Sequence, residues 1–268
     1  MSAWKPTPDF TLLTAWLKPE YPSAVPPPKD IPATYMDSFT MQGRVEIRSW
    51  YVDGTDYLGG KQTGRGWTKE GVEKLQQTTR TEGGNYGKES LNLYTALARY
   101  QPFFEDKRGV IIGSETPWAE AIALNHNVAS IMTVEYGALT CDHPKIETKL
   151  VSEFTQGVLN GDIAPFDWAI SYSSLEHDGM GRYGDVLNPD GDLHSMAKAL
   201  TYVKPGGMFL LAVPQADADA VEWNAHRVYG PLRLPLLTAG WRLVDVVYST
   251  VGVYQHLLVL QNTFGCSA

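Results

Sequence analysis

From Gly109 onward the chain alternates short apolar runs with amphipathic stretches. That rhythm predicts a parallel sheet with helices on both faces. Val110-Ile111-Ile112 is the first buried strand. A helix follows over 117–125, with Pro117 suited to its first turn and Thr116 as N-cap. Ser130-Ile131-Met132-Thr133-Val134 is the second strand, ending at Glu135, and 146–150 is the third. Strand four covers 167–173 and strand five 208–213, with a helix over 192–202 between them. At the end, 241–248 and 255–261 are strands on a link so short that they must be antiparallel neighbours. The expected architecture is a Rossmann-like α/β fold, a mostly parallel seven-stranded sheet with a C-terminal antiparallel hairpin.

The first hundred or so residues have a different texture. Pro6, Pro8, Pro19, Pro22, Pro26, Pro27, Pro28 and Pro32 crowd the start, and proline imposes extended, irregular chain. Trp4, Phe10, Leu13, Trp16 and Tyr21 among them need cover, so the segment is expected to pack as an arm on the globule. Residues 40–68 mix a strand-like Val45-Glu46-Ile47-Arg48 with turn glycines Gly59, Gly60, Gly64 and Gly66. Helices are expected around 69–80 and 88–101, the second with Leu91, Tyr94, Leu97 and Ala98 on one face. The chain then divides into a cap, 1–104, over the carboxyl edge of the sheet, and a core domain, 105–268.

Composition narrows the function classes. A hydrophobic content of 43% and a charged content of 19% suit a soluble globule. The net charge of −8 argues against a general affinity for nucleic acid, which needs clustered Lys and Arg. No stretch approaches the ~20 apolar residues of a membrane span, and the start lacks a signal peptide's apolar run. The expectation is a cytoplasmic protein with a small-molecule partner and neither nucleic-acid nor membrane partners. The oligomeric state is left open. Cys141 and Cys266 suggest neither a disulfide scaffold nor a thiolate metal site.

The loop after strand one reads Gly113-Ser114-Glu115-Thr116-Pro117-Trp118 and keeps one glycine. Both the dinucleotide fingerprint and the phosphate-binding P-loop are absent. Such a turn still offers backbone N–H groups to a cofactor, and Trp118 either flanks that cofactor or fills space between helix and sheet. Glu135 lies 22 residues after Gly113, where a strand-end carboxylate can accept both ribose hydroxyls. Tyr136 beside it is placed to stack on an adenine. Beyond strand four, 176–194 holds Glu176, His177, Asp178, Arg182, Tyr183, Asp185, Asn188, Asp190, Asp192 and His194. Loops this polar on a rigid scaffold carry function. The acids 178, 185, 190 and 192 suit a hard divalent metal or, the preferred reading, a turn with Asp190 or Asp192 capping a helix. No metal ligand is assigned.

Two stretches resemble a known superfamily. The Lys204-Pro205-Gly206-Gly207 turn before a buried strand resembles the turn before strand five of class I S-adenosylmethionine-dependent methyltransferases. Phe166-Asp167-Trp168-Ala169-Ile170-Ser171-Tyr172-Ser173 with Leu175-Glu176-His177 resembles their strand four and the loop beyond it. The runs 113–120, 133–136, 173–179, 181–185, 188–192 and 224–230 resemble more narrowly the methyltransferase-like family named domain of unknown function 268. That resemblance implies the fold and S-adenosylmethionine as cofactor, and says little about the acceptor.

The expected activity is therefore methyl transfer, with O-methylation of a sugar or glycan hydroxyl leading. Gly113, Ser114, Glu115, Trp118, Glu135, Tyr136 and Ser173 are expected at the cofactor. His177 is the first candidate base, since an alcohol must lose its proton as the new bond forms. Asp178 or Asp185 would orient it, and His226 is the second candidate. Arg182, Tyr183, Asp185, Arg227 and Tyr229 are expected at the acceptor, with Arg182 and Arg227 either clamping an anion or paired internally. The alternatives are a Rossmann-like binding module that has lost the cofactor and, less well supported, a nicotinamide oxidoreductase.

Overall fold

The computed structural model describes residues 23–53, 55–60, 65–249, 251 and 255–263. Trp4, Phe10, Leu13, Trp16, Tyr21, the first four prolines, Gly64 and Cys266 lie outside the described residues.

The early elements are α1 (Ala33–Phe39), β1 (Glu46–Trp50), β2 (Arg65–Trp67), α2 (Lys69–Glu82) and α3 (Leu91–Arg99). Then come β3 (Arg108–Ile112), α4 (Trp118–Leu124), β4 (Ser130–Glu135), β5 (Leu139–Cys141), β6 (Ile146–Leu150) and α5 (Val151–Asn160). Next are β7 (Phe166–Tyr172), α6 (Gly191–Tyr202), β8 (Val203–Ala212), β9 (Ala220–Asn224) and β10 (His226–Val228). The chain closes with α7 (Leu234–Leu237), β11 (Trp241–Val247) and β12 (Leu257–Asn262).

Seven strands form the main sheet in the order β11-β12-β8-β7-β3-β4-β6. The strands β6, β4, β3, β7 and β8 run parallel, and β12 is antiparallel to both β8 and β11. This is the Rossmann-like architecture the hydrophobic pattern predicts. Central strands such as β7 are buried almost throughout, because a parallel sheet covered on both faces needs apolar residues on both. One face packs Leu93, Leu97, Ile122, Trp168 and Leu210 together. The other packs Phe154, Phe166, Met196, Phe209 and Leu258. Helices α2 and α3 thus share the core of the sheet, with Val72 and Leu93 fully buried.

Four details depart from expectation. Thr116 does not cap α4; its hydroxyl donates to Asn85 Oδ1, and Pro117 holds the cap position. The buried stripe of α3 is Asn92, Leu93, Ala96 and Leu97, turned from the predicted one. Asn92 turns inward because its amide bridges the Gln255 carbonyl and the Tyr172 hydroxyl. The Lys204–Gly207 turn is a bulge within β8, where the register with β7 shifts between Phe166 and Trp168. Finally, β1 pairs parallel with β9, which pairs antiparallel with β10, in a second sheet that the pattern did not foretell.

Candidate active site

A cavity of about 350 Å³ opens beyond the carboxyl ends of β3, β4 and β7, where open parallel sheets bind ligands. Its size falls within the ~300–1,000 Å³ of small-molecule sites. Gly113, Ser114, Glu115, Trp118, Glu135, Tyr136 and Ser173 all line it. So do His177, Asp178, Arg182 and Tyr183.

The loop after β3 explains its single glycine. Gly113 has φ +71°, and a Cβ built there would stand 1.9 Å from Ser174 Oγ. A side chain is excluded by both conformation and space. The Gly113 amide donates to the Val134 carbonyl at 3.0 Å, so the loop folds back onto β4. The Ser114 amide donates to Glu135 Oε1. Ser114 Oγ lies 2.8 Å from Glu120 Oε2 in hydrogen-bond contact, and Thr133 Oγ1 donates to Glu120 Oε1 at 2.8 Å. Glu120 is fully buried, and that burial pushes its carboxyl up to about 7 despite the hydroxyl donors.

Aromatic rings frame the middle of the cavity. Tyr172 meets Trp118 edge-on at 5.0 Å, and Tyr86 stacks on Tyr172 at 5.4 Å. Trp118 is buried against Gly84 as well as facing the cavity, so it both packs and lines. Toward the loop after β7, Tyr57 and Tyr183 meet edge-on at 4.7 Å, and the Tyr57 hydroxyl donates to Glu115 Oε1 at 3.0 Å.

The His177 ring is oriented by a backbone carbonyl rather than by Asp178 or Asp185. Its Nδ1 lies 2.5 Å from the Ala225 oxygen, which fixes the proton on Nδ1 and leaves the Nε2 lone pair available. Burial, then the Arg182 charge, pull the imidazole down to about 3, so it is neutral near pH 7. Nε2 is 3.8 Å from Glu176 Oε1. Glu176 accepts from Ser173 Oγ at 2.6 Å, and Ser173 Oγ in turn accepts from Gln255 Nε2 at 2.9 Å. Burial pushes Glu176 up to about 7, and its Oε2 has no hydrogen-bond partner.

Four expected site residues lie elsewhere. Asp185 accepts from the Gly181 and Tyr183 amides and holds that turn. Arg227 is fully buried, donating to the carbonyls of Glu176, Asp178, Asn188 and Pro189, so it braces the loop from behind. The Tyr229 hydroxyl donates to Asp192 Oδ2 at 2.8 Å in the same interior cluster. Burial alone would raise Asp192, but Arg227 and Arg233 outweigh it and hold the carboxyl low. His226 is off the cavity wall and packs edge-on against Trp50 at 5.5 Å. Held in the second sheet, 220–228 backs the loop after β7 through the Ala225 carbonyl and does not itself line the cavity.

The acids of the 178–192 loop do not converge. Asp178 accepts from Ser195 Oγ at 2.5 Å, Asp192 is paired with Arg233, and Asp190 at the cap position makes no side-chain capping bond. Among the described residues no group of three His, Cys, Asp or Glu is placed to hold a metal. Sequence reasoning passed over Glu120 at the site, though a lone acid within Trp118-Ala119-Glu120-Ala121-Ile122 was a visible signal. Tyr57, Asn85, Tyr86, Ser195 and Lys198 also line the cavity and carried no local signal.

Fold and cleft define a Rossmann-like α/β protein with a cavity at the carboxyl edge of its sheet. The chain belongs to the family described as Caenorhabditis protein of unknown function, DUF268, whose profile matches residues 106–257. No curated protein matches it by sequence. Among solved structures it is similar to the Burkholderia thailandensis 1,6-didemethyltoxoflavin-N1-methyltransferase, at 14% identity and TM-score 0.49 over 72% of this chain and 87% of that one. It is also similar to the [4+2]-cyclase SpnF, at 13% identity and TM-score 0.48 over 75% and 98%. A third likeness is to Aeropyrum pernix fibrillarin, at 15% identity and TM-score 0.41 over 63% and 76%.

Proposed function

We propose that this protein is an S-adenosylmethionine-dependent methyltransferase acting on a hydroxyl of a small polar acceptor, with a sugar or glycan hydroxyl foremost. The observation that carries the reading is the pairing of Gly113 with Glu135 at one end of the cavity. A side chain at Gly113 would overlap Ser174, and Glu135 stands at the strand end with one oxygen tied to the loop. The residues fit the cofactor: Glu135 would take the ribose hydroxyls, the 113–115 loop would lie against its chain, and Tyr136 would cover the adenine. When bound, S-adenosylmethionine supplies an electrophilic methyl group.

This chain's part is then orientation and proton handling. His177 lines the cavity, and with its proton on Nδ1 it offers Nε2 as a neutral lone pair. An imidazole held near 3 is a poor resting place for a proton, and Glu176, near 7 and 3.8 Å away, is the better one. The base is accordingly the His177–Glu176 pair rather than the histidine alone. Asp178, next to His177 and anchored by Ser195, also lines the cavity. Supporting the rival reading of a binding module that has lost the cofactor, the loop retains one glycine where such loops have several.

Incubating the protein with methyl-labelled S-adenosylmethionine and a panel of monosaccharides and oligosaccharides tests the activity. Label transferred to an acceptor oxygen is the expected result. Label found on nitrogen or sulfur acceptors instead, or on no acceptor, would defeat the O-methyl assignment.

A further inference from the structure

Arg182 is the guanidinium of the cavity wall, and it differs from the four arginines that pair with carboxylates among the described residues. Arg227 and Arg233 face Asp192, Arg99 pairs with Asp245, and Arg48 pairs with Glu46 and Glu222. Among the described residues no carboxylate forms an ion pair with Arg182. Among the described residues its side chain bonds through Nη1 to the Ala225 carbonyl at 3.3 Å, an oxygen already shared with His177 Nδ1. A guanidinium carries five donors in a rigid fork that matches carboxylate and phosphate oxygens. Half-buried and attracted to the Glu176 carboxyl only through space, such a group has donors that no ion pair fills.

Its surroundings specify more. The guanidinium carbon sits 5.1 Å from the Tyr183 ring centroid, which steadies the head group at the wall. Tyr57 extends that wall at right angles to Tyr183. The acids on the wall are otherwise occupied: Glu115 by Tyr57, Glu135 by the Ser114 amide, and Asp178 by Ser195. The loop after β7 therefore presents a cation beside two aromatic faces, while the loop after β3 and the end of β4 present acids.

We propose that the acceptor bears a compact anion, a carboxylate or a phosphate, on a ring lying against Tyr57 and Tyr183, and that Arg182 binds that anion. Calling the ligand an acceptor rests on the methyltransferase reading; the anion site itself does not. Arg182 is then a specificity determinant, and His177 stands next to it along the same wall.

The full chain, saturated with S-adenosylhomocysteine, is titrated with D-glucuronate, D-glucose 6-phosphate and benzoate, with D-glucose and benzyl alcohol as neutral partners. Saturation-transfer NMR and calorimetry read binding to the wild type, Arg182→Gln and Arg182→Lys. At least one anionic probe should bind about tenfold or more tightly than its neutral partner, as charge-assisted contacts require. Arg182→Gln should erase that preference and Arg182→Lys should keep part of it, since charge survives without the fork. Which probe binds separates carboxylate from phosphate. Equal binding of neutral and anionic probes, or a preference that survives in Arg182→Gln, overturns the proposal. A loss of S-adenosylhomocysteine affinity in Arg182→Gln also overturns it, assigning the arginine to the cofactor. If the wild type fails to bind S-adenosylhomocysteine, the methyltransferase reading falls. The same anion comparison on the protein alone then still decides the role of Arg182.

Discussion

Glu120→Gln isolates the most unusual electrostatic feature of the cofactor end. The wild-type carboxyl is fully buried and pushed from its ordinary 4.5 to about 7. Because the folded value is the higher one, the folded state binds the extra proton. The resulting stability is fully present below about pH 4.5 and is lost as pH rises through about 7. Integrating between these values gives a loss of about 2 kcal/mol between about pH 5.5 and about pH 8. Glutamine fits the same hydrogen bonds without a charge. Its oxygen can accept from Thr133 Oγ1, and its amide can donate to Ser114 Oγ, which leaves that hydroxyl's one proton for the Thr116 carbonyl 3.0 Å away. Urea unfolding of both proteins across this range is the assay. His177, His126, His143 and His226 have lowered values that push the wild-type curve the other way, but they are common to both proteins and cancel in the difference. Relative to wild type, Glu120→Gln should gain about 2 kcal/mol as pH rises. Parallel curves would refute the reasoning.

Other perturbations reach the rest of the site. Gly113→Ala forces a methyl group to within 1.9 Å of Ser174 Oγ at φ +71°, and the left-handed backbone alone costs about 1–2 kcal/mol. A clear fall in Tm is expected, partly restored by adding Ser174→Gly; an unchanged Tm contradicts the tight loop. Once an acceptor is in hand, kcat/KM should rise with pH through about 7 as Glu176 ionises, and Glu176→Gln should remove that limb. A limb that persists unshifted in Glu176→Gln takes Glu176 out of the proton path. His177→Ala should lower turnover about 10²–10⁴-fold while leaving cofactor affinity unchanged, and wild-type turnover in that variant removes the pair as base.

The sheet was legible because its strands are buried on both faces and so read as continuous apolar runs: Val110-Ile111-Ile112, Ser130–Glu135, Phe166–Tyr172. Strand-end position, set by the same runs, put Gly113 and Glu135 together at the cavity. The second sheet was not legible. It pairs Glu46–Trp50 with Ala220–Asn224 across most of the chain, and β1 has an exposed pattern that no local period marks. That one unread pairing accounts for His226 and Arg227, since it decides which way 220–228 faces. Tyr57 and Tyr86 reach the cavity from segments whose place depends on tertiary packing rather than on spacing. Asp192 read as a cap because acids at helix starts usually are caps. Its partners Arg227, Tyr229 and Arg233 come from elsewhere in the chain.

In the proposed function, the cavity at the carboxyl edge holds S-adenosylmethionine through Glu135. Calorimetric titration of S-adenosylhomocysteine into the wild type and Glu135→Ala tests it most directly. One-site binding to the wild type is expected, with about 10- to 100-fold weaker binding to the variant, the worth of a lost charge-assisted contact. No heat from the wild type, or unchanged affinity in a folded Glu135→Ala, would contradict it.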